Sequence, residues 1–203
     1  MRSWLPTLAI AVVLGGCHAS STPPPAAGLL LHVALATAPT GSEVAIASAA
    51  MHLSALRAVS DRSATDPRAA ASELDLALGD SLDVALPSAP PGLYSAVDAE
   101  LGSSADIGLD VQAVWHMARV HATLESAPFD VGCAMPVALD PGHRARLDVQ
   151  IDPAGWFAGL DLANATADPD DAGIVVSADD NRPLAAALLA NVTASFTLGC
   201  APE

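Results

Sequence analysis

Residues 72–88 read "SELDLALGDSLDVALPS". Leu74, Leu76 and Leu78 alternate with polar or small residues, and after Gly79-Asp80 so do Leu82, Val84 and Leu86. A period of two puts successive side chains on opposite faces of a pleated strand, so each half predicts a strand with one buried face. Gly-Asp between the halves predicts a hairpin. The same pattern extends outward. "GLLLHVALAT" (28–37) ends at the turn Pro39-Thr40-Gly41, and "RARLDVQIDPAGWF" (144–157) alternates Leu147, Val149 and Ile151. "PPGLYSAVDAELG" (90–102) opens on a turn and runs through Leu93, Ser95, Val97, Ala99 and Leu101. "DIGLDVQAVWHMARVHATL" (106–124) is one long strand or a strand pair, and "EVAIASAAMHLSALRAV" (43–59) fits a helix or a bulged strand. "DRSATDPRAAA" (61–71) is a polar loop. Near the end, Leu184, Leu188, Val192 and Phe196 recur at i+4, with Asp180 or Asn181 to cap and Pro183 in the first turn, which predicts a helix over 179–196. The expectation is a mainly β fold, an antiparallel β-sandwich with one C-terminal α-helix.

The chain has 203 residues, 23 acidic against 8 basic, and a formal net charge of −15. All 8 basic residues are arginine. Phosphate backbones need clustered cations, so nucleic acid is excluded as a partner class, as is a polybasic mode of membrane association. Cations and basic partners remain compatible. Only seven residues are Phe, Trp or Tyr, so the core is expected from Leu, Val, Ile and Ala.

At the other end, "MRSWLPTLAIAVVLGGC" has one positive charge, a short apolar run from Leu5 to Leu14 and small residues before Cys17. The run is shorter than the ~20 residues a membrane-spanning helix needs, and the pattern is that of an export signal. Leu14-Gly15-Gly16-Cys17 resembles a bacterial lipobox. The resemblance implies cleavage between Gly16 and Cys17 and lipidation of Cys17, with its acyl chains as the membrane anchor. The alternative is a secreted protein with a chance cysteine. His18, where an aspartate resembles an inner-membrane retention signal, implies the outer membrane. Residues 1–16 are thus expected as a signal peptide, 17–28 as a lipidated, Pro-rich tether, and 29–203 as the folded domain. Pro23-Pro24-Pro25 favours extended polyproline II. In an oxidising compartment the two remaining cysteines, Cys133 and Cys200, are expected to pair; two free buried thiols are the alternative.

The order "ELDLALGDSLDVALPSAPPGLYSAVDAEL", "VQIDPAGWFAGLD", "NRPLAAALLANVTASF" resembles bacterial envelope lipoproteins with a DUF4382-like domain. Leu76, Leu78, Leu86, Gly92 and Tyr94 carry the first part of the likeness, and Trp156, Phe157, Asn191, Ser195 and Phe196 the second. Where those proteins tend to show Asp-Ala-Pro, this chain has Thr37-Ala38-Pro39. The family has no assigned activity, so the resemblance implies an envelope location and no chemistry.

Few constellations suggest chemistry. Asp168, Asp170 and Asp171 form one acidic loop, and Asp179, Asp180 and Asn181 a second; together they are candidates for structural calcium, or else a solvated turn and a helix cap. His116 and His121 fall on opposite faces if they share a strand, while His32 and His52 could neighbour each other across strands. No G-x-S-x-G, HExxH, P-loop or GxGxxG occurs. Trp115, Trp156 and Phe157 are read as core rather than as a glycan- or peptide-binding face. Asn164-Ala165-Thr166 and Asn191-Val192-Thr193 match the glycosylation sequon by accident. The expected function is a lipid-anchored cell-envelope protein that is not an enzyme, with a binding or structural role toward an unknown protein or glycan and no cofactor. An envelope hydrolase and an adhesin or assembly component are the alternatives.

Overall fold

The computed structural model describes residues 28–60, 73–103, 107–168 and 173–201. The signal peptide, Cys17, all of the expected tether but Gly28, and the 61–71 loop lie outside the described residues. The described chain is mainly β, with two sheets in a curled, sandwich-like arrangement and one α-helix. In the first sheet β1 (Gly28–Leu35) lies between β4 (Ser81–Leu86) and β9 (Arg144–Ile151), and β11 (Phe196–Ala201) flanks β9. The second holds β2 (Val44–Ser60), β3 (Leu74–Ala77), β5 (Gly92–Leu101), β6 (Leu109–Trp115), β7 (Ala118–Leu124), β8 (Ala127–Leu139) and β10 (Ile174–Val176). Pairing is antiparallel except for β1–β9 and β7–β10, which are parallel.

Period-two burial is clean where strands are straight. Leu29, Leu31, Val33 and Leu35 of β1 face Ala145, Leu147, Val149 and Ile151 of β9 in register, and all eight are buried. Burying such aliphatic side chains contributes roughly 1.5–3 kcal/mol each for the larger ones, which offsets the entropy of ordering the strands. Residues 72–88 are not a hairpin. β3 pairs with β2 and β4 pairs with β1, so the Gly79-Asp80 turn carries the chain from one sheet to the other. The Gly79 N–H donates to the Leu35 carbonyl and the Leu35 N–H to the Asp80 carbonyl, both 2.9 Å, which docks the turn on the end of β1. Gly79 takes φ +84, a conformation that glycine adopts without steric cost.

The 43–59 segment is a 17-residue strand, the bulged alternative. Its buried parity changes from Met51 and Leu53 to Leu56 and Ala58 across an irregularity at Ser54–Arg57, where Ala55 has φ +51. One extra residue in a strand reverses which side chains face inward and bends it. β5 does the same. A register shift between Tyr94 and Ala96 leaves Leu93 partly exposed and buries Tyr94, whose hydroxyl donates to the Pro90 carbonyl at 2.7 Å.

β5 and β6 lie end to end along one edge of β2. A strand residue's N–H and C=O point to the same side. The His52 N–H donates to the Gly108 carbonyl (2.9 Å) and its carbonyl accepts from the Gly102 N–H (2.8 Å). Gly108 has no room for a Cβ, which would lie 2.7 Å from Leu101 Cγ and 2.8 Å from the Gly102 nitrogen.

The helix α1 spans Arg182–Ala194 and buries Ala185, Leu188 and Val192. It does not reach Phe196, which instead starts β11, antiparallel to β9. Ser195 ends the helix, and its N–H bonds back to Val192. Among the described residues no helix is long and apolar enough to cross a membrane.

β11 and β8 are edge strands of different sheets that pack side by side, with Phe129 against Phe196, ring centroids 4.1 Å apart. There Cys133 of β8 and Cys200 of β11 form a disulfide, Cα atoms 6.1 Å apart across 67 residues of sequence. A crosslink over that span limits the unfolded chain and is worth about 4 kcal/mol on chain-entropy grounds. We therefore expect Cys133→Ser/Cys200→Ser to lower the denaturant-derived unfolding free energy by a few kcal/mol, on that estimate. Mass analysis of the unreduced protein should find these two cysteines joined; two free thiols would remove the crosslink.

Candidate functional site

A cleft of about 340 Å³ opens between the start of β2 with the end of β6 on one side and residues 153–162 on the other. Val44, Ile46 and Trp115 form the sheet wall; Pro153, Phe157, Leu160 and Leu162 form the opposite one. Both walls follow from the sequence locally. Trp115 is the last residue of β6, opposite Val44. The other wall begins where Asp152 leaves β9 and accepts the Ala154 N–H at 2.9 Å, which starts the 3₁₀ turn Pro153–Gly155.

That wall is fixed from behind by α1. Trp156 is fully buried, and its indole N–H donates to the Ser195 hydroxyl at 3.0 Å. The Asn191 amide donates to the Trp156 and Ala158 carbonyls at 2.9 and 3.0 Å. Carbonyls off a ladder find such partners in side chains or water. Asn191 of the second sequon is thus a structural residue, and Asn164 of the first donates to Asp161 at 2.7 Å. Trp156 and Phe157 are core as expected, although Phe157 also shows itself to the cleft. Trp115 differs. It is only partly buried, and its Nε1–H donates to Glu43 Oε1 at 3.1 Å. The His116 Nε2 lies 3.5 Å from the same oxygen.

His116 and Met117 form the two-residue loop between β6 and β7, so the 106–124 segment is the strand pair. They have φ +46 and +73, the left-handed values a type I′ hairpin needs and residues other than Gly or Asn adopt reluctantly. Met117 is 95% exposed, with Val114 beside it at 40%.

The other candidates distribute as follows. His32 faces Asp83 across β1–β4 (2.6 Å) and His52 faces Asp75 across β2–β3 (2.8 Å), so the two histidines are on different sheets and are not neighbours. His121 Nε2 lies 3.2 Å from Asp110. Of the two acidic loops, the described ends are tied together by a side-chain amide. Asn181 donates to the Thr166 and Val175 carbonyls (2.9 and 2.7 Å) and accepts the Thr166 N–H (2.8 Å). It makes no side-chain cap on α1. Asp179 and Asp180 are exposed, with their N–H groups turned to the Ser177 hydroxyl, and the Asp168 N–H pairs with Gly173. Asp170 and Asp171 lie outside the described residues. Among the described residues no three His, Cys, Asp or Glu side chains form a group able to hold a metal ion. The Ser42 hydroxyl, in the cleft, donates to the Val44 carbonyl at 2.6 Å.

Scans against protein-family models, curated proteins and solved structures each returned no match.

The hairpin tip stores strain that a better turn sequence would release. Replacing His116-Met117 by Asn-Gly should raise stability by roughly 1–2 kcal/mol. Chemical denaturation would measure it; an unchanged or lower midpoint would show that the loop is not held in the left-handed region.

Proposed function

We propose that this chain is a lipid-anchored protein of the bacterial cell envelope, held at the outer membrane, whose folded part is a non-catalytic binding module. The cleft between Trp115 and Phe157 is its binding site. The observation that carries the reading is the division of the molecule. The buried interior is filled by aliphatic and aromatic side chains, with Ser54 and Ser60 the buried polar residues described. Among the described residues Trp115, like Phe129 of β8, is only partly buried, and it stands in a cleft whose lining side chains are apolar apart from Ser42 and Glu43. Preformed, mostly apolar clefts with a few placed polar groups are where small ligands bind. The Ser42 hydroxyl turned to a carbonyl favours binding over hydrolysis, since a nucleophile needs a base within hydrogen-bond reach.

The residues of the DUF4382-like resemblance fit this reading as structural ones. Tyr94, Trp156 and Phe196 are buried, and Asn191 and Ser195 fasten the cleft wall. They support the scaffold, with Phe157, another of them, also lining the cleft, while Glu43 and Trp115 lie outside the resemblance. An assembly component remains a second reading, favoured by the exposed Val114 and Met117 at the β6–β7 tip.

The anchor has a direct test. Cys17→Ser should move the protein from the membrane fraction of cells to the soluble envelope fraction, because the acyl chains supply the membrane affinity. A variant that stays with the membranes would overturn the lipoprotein reading.

A further inference from the structure

We propose that the cleft takes a small organic cation, an ammonium or guanidinium group on an apolar body; this rests on the cleft being the binding site. The charged head sits against the Glu43 carboxylate and the Trp115 ring, and the body lies on Val44, Ile46 and Phe157. Glu43 is the charged residue of the lining, and no arginine takes part in it. An aromatic ring face attracts a cation through its quadrupole, and tryptophan does so best; Trp115 is partly exposed and the Glu43 side chain beside it is exposed. Trp115 donates its N–H to Glu43, which keeps the carboxylate beside the ring. The formal charge of −15 adds a long-range field that draws cations and repels anions.

The same lining disfavours other ligand classes. A neutral sugar needs several free hydrogen-bonding groups along its rim. Here the polar side chains are Ser42 and Glu43, and the Ser42 hydroxyl is already donated to Val44. The backbone of the opposite wall is also engaged. The carbonyls of Pro153, Gly155 and Phe157 accept from Trp156, Ala158 and Leu160, and those of Trp156 and Ala158 accept from Asn191. An anion meets the Glu43 carboxylate with no arginine in the lining, the basic group near it being His116, whose Nε2 lies 3.5 Å from Glu43 Oε1 at the rim. At about 340 Å³ the cleft is at the small end of the range for ligand sites, which suits one ring or a short chain.

The test is a titration of the mature protein with benzylammonium, benzyl alcohol and benzoate, which share a ring and differ in charge. Fluorescence reads Trp115, with Trp156 sealed in the core as the second chromophore. The expected result is saturable binding of benzylammonium, at least about tenfold weaker binding of benzyl alcohol, and none of benzoate. Glu43→Gln should reduce benzylammonium to the level of the alcohol, Trp115→Ala, followed by calorimetry because the reporter is removed, should abolish binding of both, and Asp130→Asn, on β8, should change nothing. Equal binding of the alcohol and the ammonium, or indifference to Glu43→Gln, would overturn the cation assignment while leaving the cleft as a binding site. Absence of saturable binding for all three probes would overturn both.

Discussion

The fold depends on how three lengths of chain turn one corner together. β2 bends at Ala55, β5 gives way to β6 between Gly102 and Gly108, and β7 gives way to β8 at Glu125-Ser126. The corner is held by backbone bonds at one place. His52 gives its N–H to Gly108 and takes the N–H of Gly102, while the Gly108 N–H goes on to the Leu124 carbonyl. The Ser54 hydroxyl donates to the Gly102 carbonyl from inside the bend. These bonds satisfy backbone groups that a broken ladder would otherwise leave buried and unpaired, at a cost of about 1–3 kcal/mol each. With the corner made, the half of the sheet containing β3, β5 and β8 faces the β4-β1-β9-β11 sheet. The other half, with β6, β7 and β10, meets the helix.

The cleft follows from that division. It lies at the end of β6 and the start of β2, away from the β3-β5-β8 half that faces the first sheet, and its far wall is the 153–162 segment rather than a strand. That segment is positioned by Trp156 in the core and by Asn191 and Ser195 on α1. The helix therefore serves the cleft indirectly: it holds a loop so that Phe157 and Leu160 stand opposite Trp115. Position comes from the core side of the loop and recognition from its open side, so the two can vary independently.

Much of this was legible in the residues and some was not. The alternation in 28–35, 74–77 and 144–151 identifies strands and their buried faces, because a straight strand has a period of two and nothing else to obey. Pairing partners are not local properties. Gly79-Asp80 can close a hairpin or cross between sheets, and only the distant Leu35 selects the crossing. Bulges at Ala55 and Ser95 displace the pattern by one residue, so Leu93 reads as buried and Tyr94 as exposed when the reverse holds. Phe196 continues the i+4 spacing of α1 yet belongs to β11, since the disulfide and the β9 edge claim the last residues for the sheet. The candidate site left little trace at all. Glu43, Trp115 and Phe157 are each more than 40 positions from the next, and a tryptophan ending an amphipathic strand looks like core until its neighbours are known. One feature was available as a hint: the resemblance of Leu14–Cys17 to a lipobox, which makes a role outside the cytoplasm the expectation.

The account stands most directly on the clamp at His52. Native-state hydrogen exchange, followed by NMR, reads its two amides one at a time. If the corner organises the fold, the His52 and Gly102 N–H groups exchange only through global unfolding, with the same protection as the β1 and β9 amides at the centre of the opposite sheet. Exchange of these two amides at the rate of an exposed turn, while β1 and β9 stay protected, would contradict it.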